Sequence, residues 1–156
     1  MKTILFSTLL FISSSFFAQV EKLTWHTDLV KAIEISTKEK KPLMLFFTGS
    51  DWCGWCIRLQ KEVLKTTEFE KWANDNVILV ELDFPRRTAQ EPNIKAQNAQ
   101  LQNMFQVRGY PTVWFVSPEK GKEGKMNLNG LGSTGYVAGG PEKWLAVADQ
   151  IVSKKK

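Results

Sequence analysis

The chain has 156 residues, 43% of them hydrophobic, which suits one compact folded domain and excludes a disordered polymer. Its net charge of +5 is modest, and its Lys and Arg residues are scattered apart from Lys40-Lys41 and Lys154-Lys155-Lys156. With no aromatic-and-basic interleaving, no nucleic-acid partner is expected, and with only Cys53 and Cys56 a framework of structural disulfides is excluded too.

Lys2 is followed by an apolar stretch from Ile4 to Phe17, then Ala18 and a polar segment from Gln19. This is the layout of a secretory signal peptide over residues 1–18, which would place the protein outside the cytoplasm, periplasmic or secreted. Phe16 departs from the small residue usual before such a cut, so an uncleaved anchor is the alternative. The stretch is shorter than the about 20 apolar residues of a membrane span. Residues 19–156 are left as one domain.

Trp25 to Lys41 reads as a helix, with Leu29, Ala32, Ile33 and Ser36 on one stripe and Thr27 or Asp28 as its cap. Lys41-Pro42 ends it. Leu43 to Phe47 is an apolar run of strand length, as a strand buried on both faces requires. Thr48 to Asp51 is a turn, and Trp52 and Cys53 open a second helix with Cys56, Leu59 and Val63 inward. Phe69 to Asn74 is a short helix, and Val77 to Leu82 a second buried strand. Phe84 to Asn98 is a polar loop that merges into a helix turning Ile94, Asn98, Leu101 and Phe105 inward. It reads as a surface insertion, with a part in partner choice as the alternative. Arg108 to Pro111 is a turn, Thr112 to Val116 a strand, Ser117 to Lys125 a hairpin turn and Met126 to Leu131 the return strand. After the glycine-rich stretch from Gly132 to Gly140, Pro141 starts a helix striped by Trp144, Val147, Ala148 and Ile151. Strands separated by helices pair parallel and a hairpin pairs antiparallel. The expected architecture is α/β, a central mixed β-sheet with helices on both faces. Trp25, Trp72, Trp114 and Trp144 are expected in its core.

The chemistry sits in Trp52-Cys53-Gly54-Trp55-Cys56, at a strand-to-helix junction. A helix N-terminus carries unpaired N–H groups and the positive end of the dipole, so it favours a thiolate at Cys53. Cys56, one turn deeper and facing the core, is placed to attack a mixed disulfide formed at Cys53. Such a short loop gains little stability from its disulfide, so chemistry explains the pair better than stapling does. Zinc would need four ligands, and beyond the cysteines the chain offers only His26, just before the first helix. No metal or other cofactor is expected beyond a redox-active Cys53–Cys56 disulfide. Pro111, between a turn and a strand, is a candidate for a cis bond, with an ordinary trans turn proline as the alternative.

Trp-Cys-x-x-Cys after a hydrophobic strand, followed by Arg-Gly-x-Pro-Thr before another, resembles the thioredoxin family over nearly all of residues 25–152. The run from Lys41 through Cys53 also resembles exported bacterial members, including the C-terminal domain of the electron transporter DsbD. The resemblance implies the thioredoxin fold, Cys53 as attacking thiol and Cys56 as resolving thiol. It also implies a cis Tyr110-Pro111 bond beside Cys53, where the Tyr110 backbone pairs with a substrate strand. Trp52 is expected to support the active-site loop. Trp55 is expected to be at least partly exposed as a contact for protein partners, or else to be a partly buried helix residue.

Two departures matter. Gly54-Trp55 replaces the common Gly-Pro between the cysteines, and potentials across the fold run from about −270 to about −120 mV. Phe47 stands six residues before Cys53, where many thioredoxins have a buried acid. Asp51 and Asp83 are possible substitutes, but they read better as a turn residue and a strand-end residue. The function this implies is a thiol–disulfide oxidoreductase acting on protein thiols and disulfides, with reduction or isomerisation favoured over oxidation. A monomer, it would draw electrons from a membrane partner. The alternatives are a non-catalytic binding module, kept open by Phe47, and a redox-sensing interaction protein.

Overall fold

A computed structural model describes residues 23–122 and 124–154, and the expected signal peptide lies outside them. The elements in order are β1 (Trp25–His26), α1 (Leu29–Glu39), β2 (Leu43–Thr48), α2 (Gly54–Leu59), α3 (Thr67–Asn76), β3 (Ile78–Asp83), α4 (Pro92–Met104), β4 (Thr112–Lys120), β5 (Met126–Thr134) and α5 (Gly140–Val152). A π-helical turn, Gln60–Leu64, continues α2. The strands form one mixed sheet in the order β1-β3-β2-β4-β5. β3 runs parallel to both β1 and β2, while β4 runs antiparallel to β2 and β5.

Strand β2 is the middle of this sheet, and its six residues are all buried. Alternate side chains serve the two layers. Met44 and Phe46 join a cluster with Cys56, Leu59, Val63, Phe69, Trp144 and Ile151, from α2, its π turn, α3 and α5. Leu43, Leu45 and Phe47 join a second cluster with Ala32 of α1 and Leu101 of α4. Each such side chain, fully buried, is worth about 1.5–3 kcal/mol, which is why this run is uninterrupted by polar residues. Phe47 therefore faces away from the layer that holds the cysteines, stacked on Phe84 with ring centroids 6.4 Å apart.

Helix starts follow local chemistry. The Asp28 carboxylate accepts the N–H groups of Val30 at 2.9 Å and Lys31 at 3.2 Å, and Thr66 Oγ1 accepts that of Phe69 at 3.3 Å. Pro92 and Pro141 occupy first turns, where a missing N–H costs nothing.

The structure corrects four expectations. Trp25 and His26 are a short strand on the edge of β3 rather than the start of a helix. Packing decides this: the Trp25 ring lies 5.9 Å from Phe46 and 6.4 Å from Phe69. The hairpin turn is shorter than expected, because β4 continues through Pro118 to Lys120 with Pro118 opposite Leu128. The return strand runs on to Thr134, across an irregularity between Phe115 and Val116 that sets Phe115 opposite Gly132 and Val116 opposite Gly130. Of the four tryptophans expected in the core, only Trp144 is fully buried, its Nε1–H donating to the Gly135 carbonyl at 3.0 Å. Trp25, Trp72 and Trp114 are half-buried, and Trp72 Nε1–H reaches out to Asp149 at 2.6 Å.

Candidate active site

The chain leaves the centre of the sheet at Thr48 and turns within a few residues. The Gly49 carbonyl accepts the N–H groups of Trp52 at 3.3 Å and Cys53 at 2.9 Å, which sets Cys53 at the cap position of α2. Cys53 and Cys56 are joined in a disulfide. Cys53 Sγ accepts the N–H of Cys56 at 3.2 Å. Sulfur therefore does at this cap what an oxygen usually does, and the same N–H, with the helix dipole behind it, favours an anion there. Cys56 is fully covered and Cys53 retains 5% of its surface. The inner cysteine is as shielded as expected. The outer one is more covered than expected, because it packs into the same apolar cluster as Cys56, Leu59 and Met44.

Trp52 closes one side of the pair. Its Nε1–H donates to the Phe84 carbonyl at 2.8 Å, and its ring meets Tyr110 edge-on at 5.6 Å. The Tyr110-Pro111 peptide bond is cis, and the Tyr110 hydroxyl accepts from Gln102 Nε2 at 2.8 Å. Burial raises the Tyr110 phenol above its ordinary pKa, and the positive charge of Arg86 opposes that shift. Arg86 Cζ stands 3.6 Å above the Trp52 ring centroid. Residues 50–52 and 83–88 are sewn together besides. The Asp51 carboxylate accepts backbone N–H groups from Arg86 at 3.0 Å, Arg87 at 2.7 Å and Thr88 at 3.2 Å, while Asp83 accepts the Ser50 N–H at 2.8 Å and its hydroxyl at 2.6 Å. Those N–H groups, the one from Arg86 foremost, hold the Asp51 carboxyl below its ordinary pKa.

Trp55 forms the other side and is 56% exposed. Its ring lies 5.2 Å from Tyr136, and the Arg58 guanidinium covers both rings at 5.3 and 5.1 Å. Glu62 ties the group together, accepting from Arg58 Nε at 2.7 Å and from the Tyr136 hydroxyl. The hydrogen bond from Tyr136, then that from Arg58, lowers the Glu62 pKa.

Asp51 and Asp83 thus serve as the turn and strand-end residues that their positions suggested. The carboxylate that sequence reasoning overlooked is Glu81. It pairs in register with Phe46 on the cysteine face of the sheet and lines a cavity of about 130 Å3 with Trp25, Gln60, Leu64 and Lys65. Burial, and then the charge of Asp83, raises its pKa, while Lys65 pulls it back. A lone Glu between two apolar strand residues was the available signal. The Arg58–Glu62 spacing was legible as well, but Tyr136 joins it from 74 residues away. A cavity of about 560 Å3 lies at the other end of the strands, between Leu23, Ile35, Ala73 and Ile78, and contains neither cysteine. Among the described residues no group of three or more His, Cys, Asp or Glu could hold a metal. None of the described helices is long and apolar enough to cross a membrane.

A mixed sheet between two helical layers, a Cys-x-x-Cys disulfide at a helix start and a cis-proline before the neighbouring strand define a class, the thiol–disulfide oxidoreductases of thioredoxin fold. Comparison with known proteins agrees: a family model described as "Thioredoxin-like domain" matches residues 29–135, and the chain belongs to that family. It is 35% identical over 116 residues to the disulfide bond reductase DsbH of Chlamydia pneumoniae, a match covering 74% of this chain and 69% of the relative. Among solved structures, a DsbH oxidoreductase superposes with a TM-score of 0.74 at 31% identity over 94% of each chain. The reduced C-terminal domain of Neisseria meningitidis DsbD does so with 0.50 at 25% identity, over 81% of this chain and 98% of that domain.

Proposed function

We propose that the protein reduces or isomerises protein disulfides outside the cytoplasm through Cys53 and Cys56. The observation that carries the reading is the unequal setting of the two sulfurs. Cys53 holds the helix cap, accepts a backbone N–H and keeps the only open surface, while Cys56 is sealed one turn behind it. In the dithiol form the Cys53 thiolate attacks one sulfur of a substrate disulfide. That bond breaks, its other sulfur leaves as a thiolate that takes up a proton, and a mixed disulfide remains. Cys56, losing its proton, then attacks Cys53 Sγ and releases the second substrate thiol. Two electrons and two protons pass to the substrate, and the Cys53–Cys56 disulfide is left. A dithiol donor at the membrane would reduce that disulfide, becoming a disulfide itself, and so restore the Cys53–Cys56 dithiol.

Trp52, Trp55, Tyr110 and Pro111 are assigned to substrate binding. Tyr110 packs on Trp52 two residues before β4, and its backbone is the segment that would pair with an extended substrate strand. The likeness to DsbH supports the reductive direction, and the apolar stretch after Lys2 supports export. A Cys56→Ser variant should accumulate adducts with other proteins that DTT dissolves, and the purified dithiol protein should reduce insulin. A variant free of adducts, together with a wild type inert towards insulin, would sink this reading.

A further inference from the structure

Each of the two tryptophans that bracket the disulfide carries an arginine, and the two arginines differ in what neutralises them. Arg58, over Trp55, is ion-paired with Glu62 at 2.7 Å. Arg86, over Trp52, is not: the ion pairs among the described residues are Lys41–Glu39 and Arg58–Glu62. The carboxylates of the turn and strand end beside it, Asp51 and Asp83, are already engaged. Asp51 receives three backbone N–H groups, and Asp83 receives two groups from Ser50. Both Arg86 and its neighbour Arg87 are exposed. Their position is not that of a loose loop, because the Asp51 carboxylate, two residues before Cys53, grips their backbone. A guanidinium stacked on an indole keeps its in-plane N–H fork open, and that fork matches a carboxylate in two parallel hydrogen bonds.

We propose that Arg86, with Arg87 beside it, reads substrates: it takes a carboxylate of the partner protein next to the cysteine under attack, so that disulfides flanked by Asp or Glu react fastest. This deepens the function proposed above and rests on it. Asp51 is then a positioning residue, fixing where the cations stand relative to Cys53.

The test uses the full-length dithiol protein and disulfide-linked peptide dimers whose cysteine is flanked by Glu, Lys or Gly. Exchange oxidises Cys53 and Cys56 to the disulfide and releases two peptide thiols, followed by Trp fluorescence. Hydroxyethyl disulfide serves as an uncharged reference for every rate. The normalised rate on the Glu peptide should exceed that on the Lys peptide by about tenfold at low salt. The preference should collapse above about 0.5 M salt, where screening shortens to a few ångströms, and it should be absent in an Arg86→Gln/Arg87→Gln double variant. Equal rates on the two peptides in the wild type, or a preference that survives both salt and the double variant, would overturn the assignment. Absence of exchange even with hydroxyethyl disulfide would instead overturn the oxidoreductase reading, and this one with it.

Discussion

Trp52 lies against Gly49 so closely that a Cβ on the glycine would stand 2.5 Å from Trp52 Cε2. The same glycine offers the carbonyl that turns Trp52 and Cys53 out of the sheet. The absence of a side chain at Gly49 is thus what lets the indole swing back over the turn, receive Arg86 on its ring and meet Tyr110. Sheet, cap, cation and cis-proline are coupled through this one contact.

Gly49→Ala should therefore act as an overpacking change, destabilising the protein by about 1–3 kcal/mol. Trp52 is held by the Phe84 carbonyl and by Tyr110, so it has no free direction to yield. Denaturant melts should show a lowered midpoint and Trp emission should shift to the red as the indole loosens. An unaltered midpoint would mean that the turn absorbs a methyl group.

Asp51→Asn should release residues 86–88. The carboxylate accepts three backbone N–H groups, and charge-assisted hydrogen bonds of this kind are stronger than those to a neutral amide. Because the folded protein lowers the Asp51 pKa, the contribution is present above the ordinary Asp range and is lost as pH falls through the folded value. The amide signals of Arg86, Arg87 and Thr88 should titrate together below about pH 4 in the wild type. In the variant they should not titrate. Independent movement of the three signals would contradict a shared carboxylate.

Glu81→Gln should stabilise the fold at neutral pH. Burial raises the native pKa of Glu81, so the folded protein binds that proton more tightly than the unfolded chain does. Stability is then lost as pH rises from the unfolded value to the native one, and a neutral amide avoids that loss. The variant should melt higher than wild type at pH 7, with the gain disappearing below the ordinary Glu range. A gain of equal size at both pH values would point to packing rather than charge.

Much of the fold was legible because its signals are local. The apolar run Leu43 to Phe47 permits little but a strand buried on both faces, and Pro111-Thr112 marks the start of β4. The cap at Asp28 and the proline at 141 place helix starts without any distant contact. Trp25-His26 failed this test. Two residues carry no period, and their strand exists only because β3 offers an edge and Phe46 and Phe69 offer rings. Pro118 misled in the opposite direction, since a proline suggests a turn, yet β4 carries it opposite Leu128.

For the site, chain chemistry brought the two sulfurs together: three residues apart at a helix start, they come within bonding distance, and they are joined in a disulfide. It could not settle their surroundings. Arg86 reaches Trp52 from 34 residues away because Asp51 binds backbone N–H groups, which every residue but proline carries and which therefore leave almost no mark in a sequence. Tyr136 reaches Glu62 only after β4 and β5 have folded back across the sheet. Covalent spacing decides which sulfurs meet. Long-range closure of the chain decides what stands beside them, since hydrogen bonds and stacking contacts act over a few ångströms of space regardless of separation along the backbone.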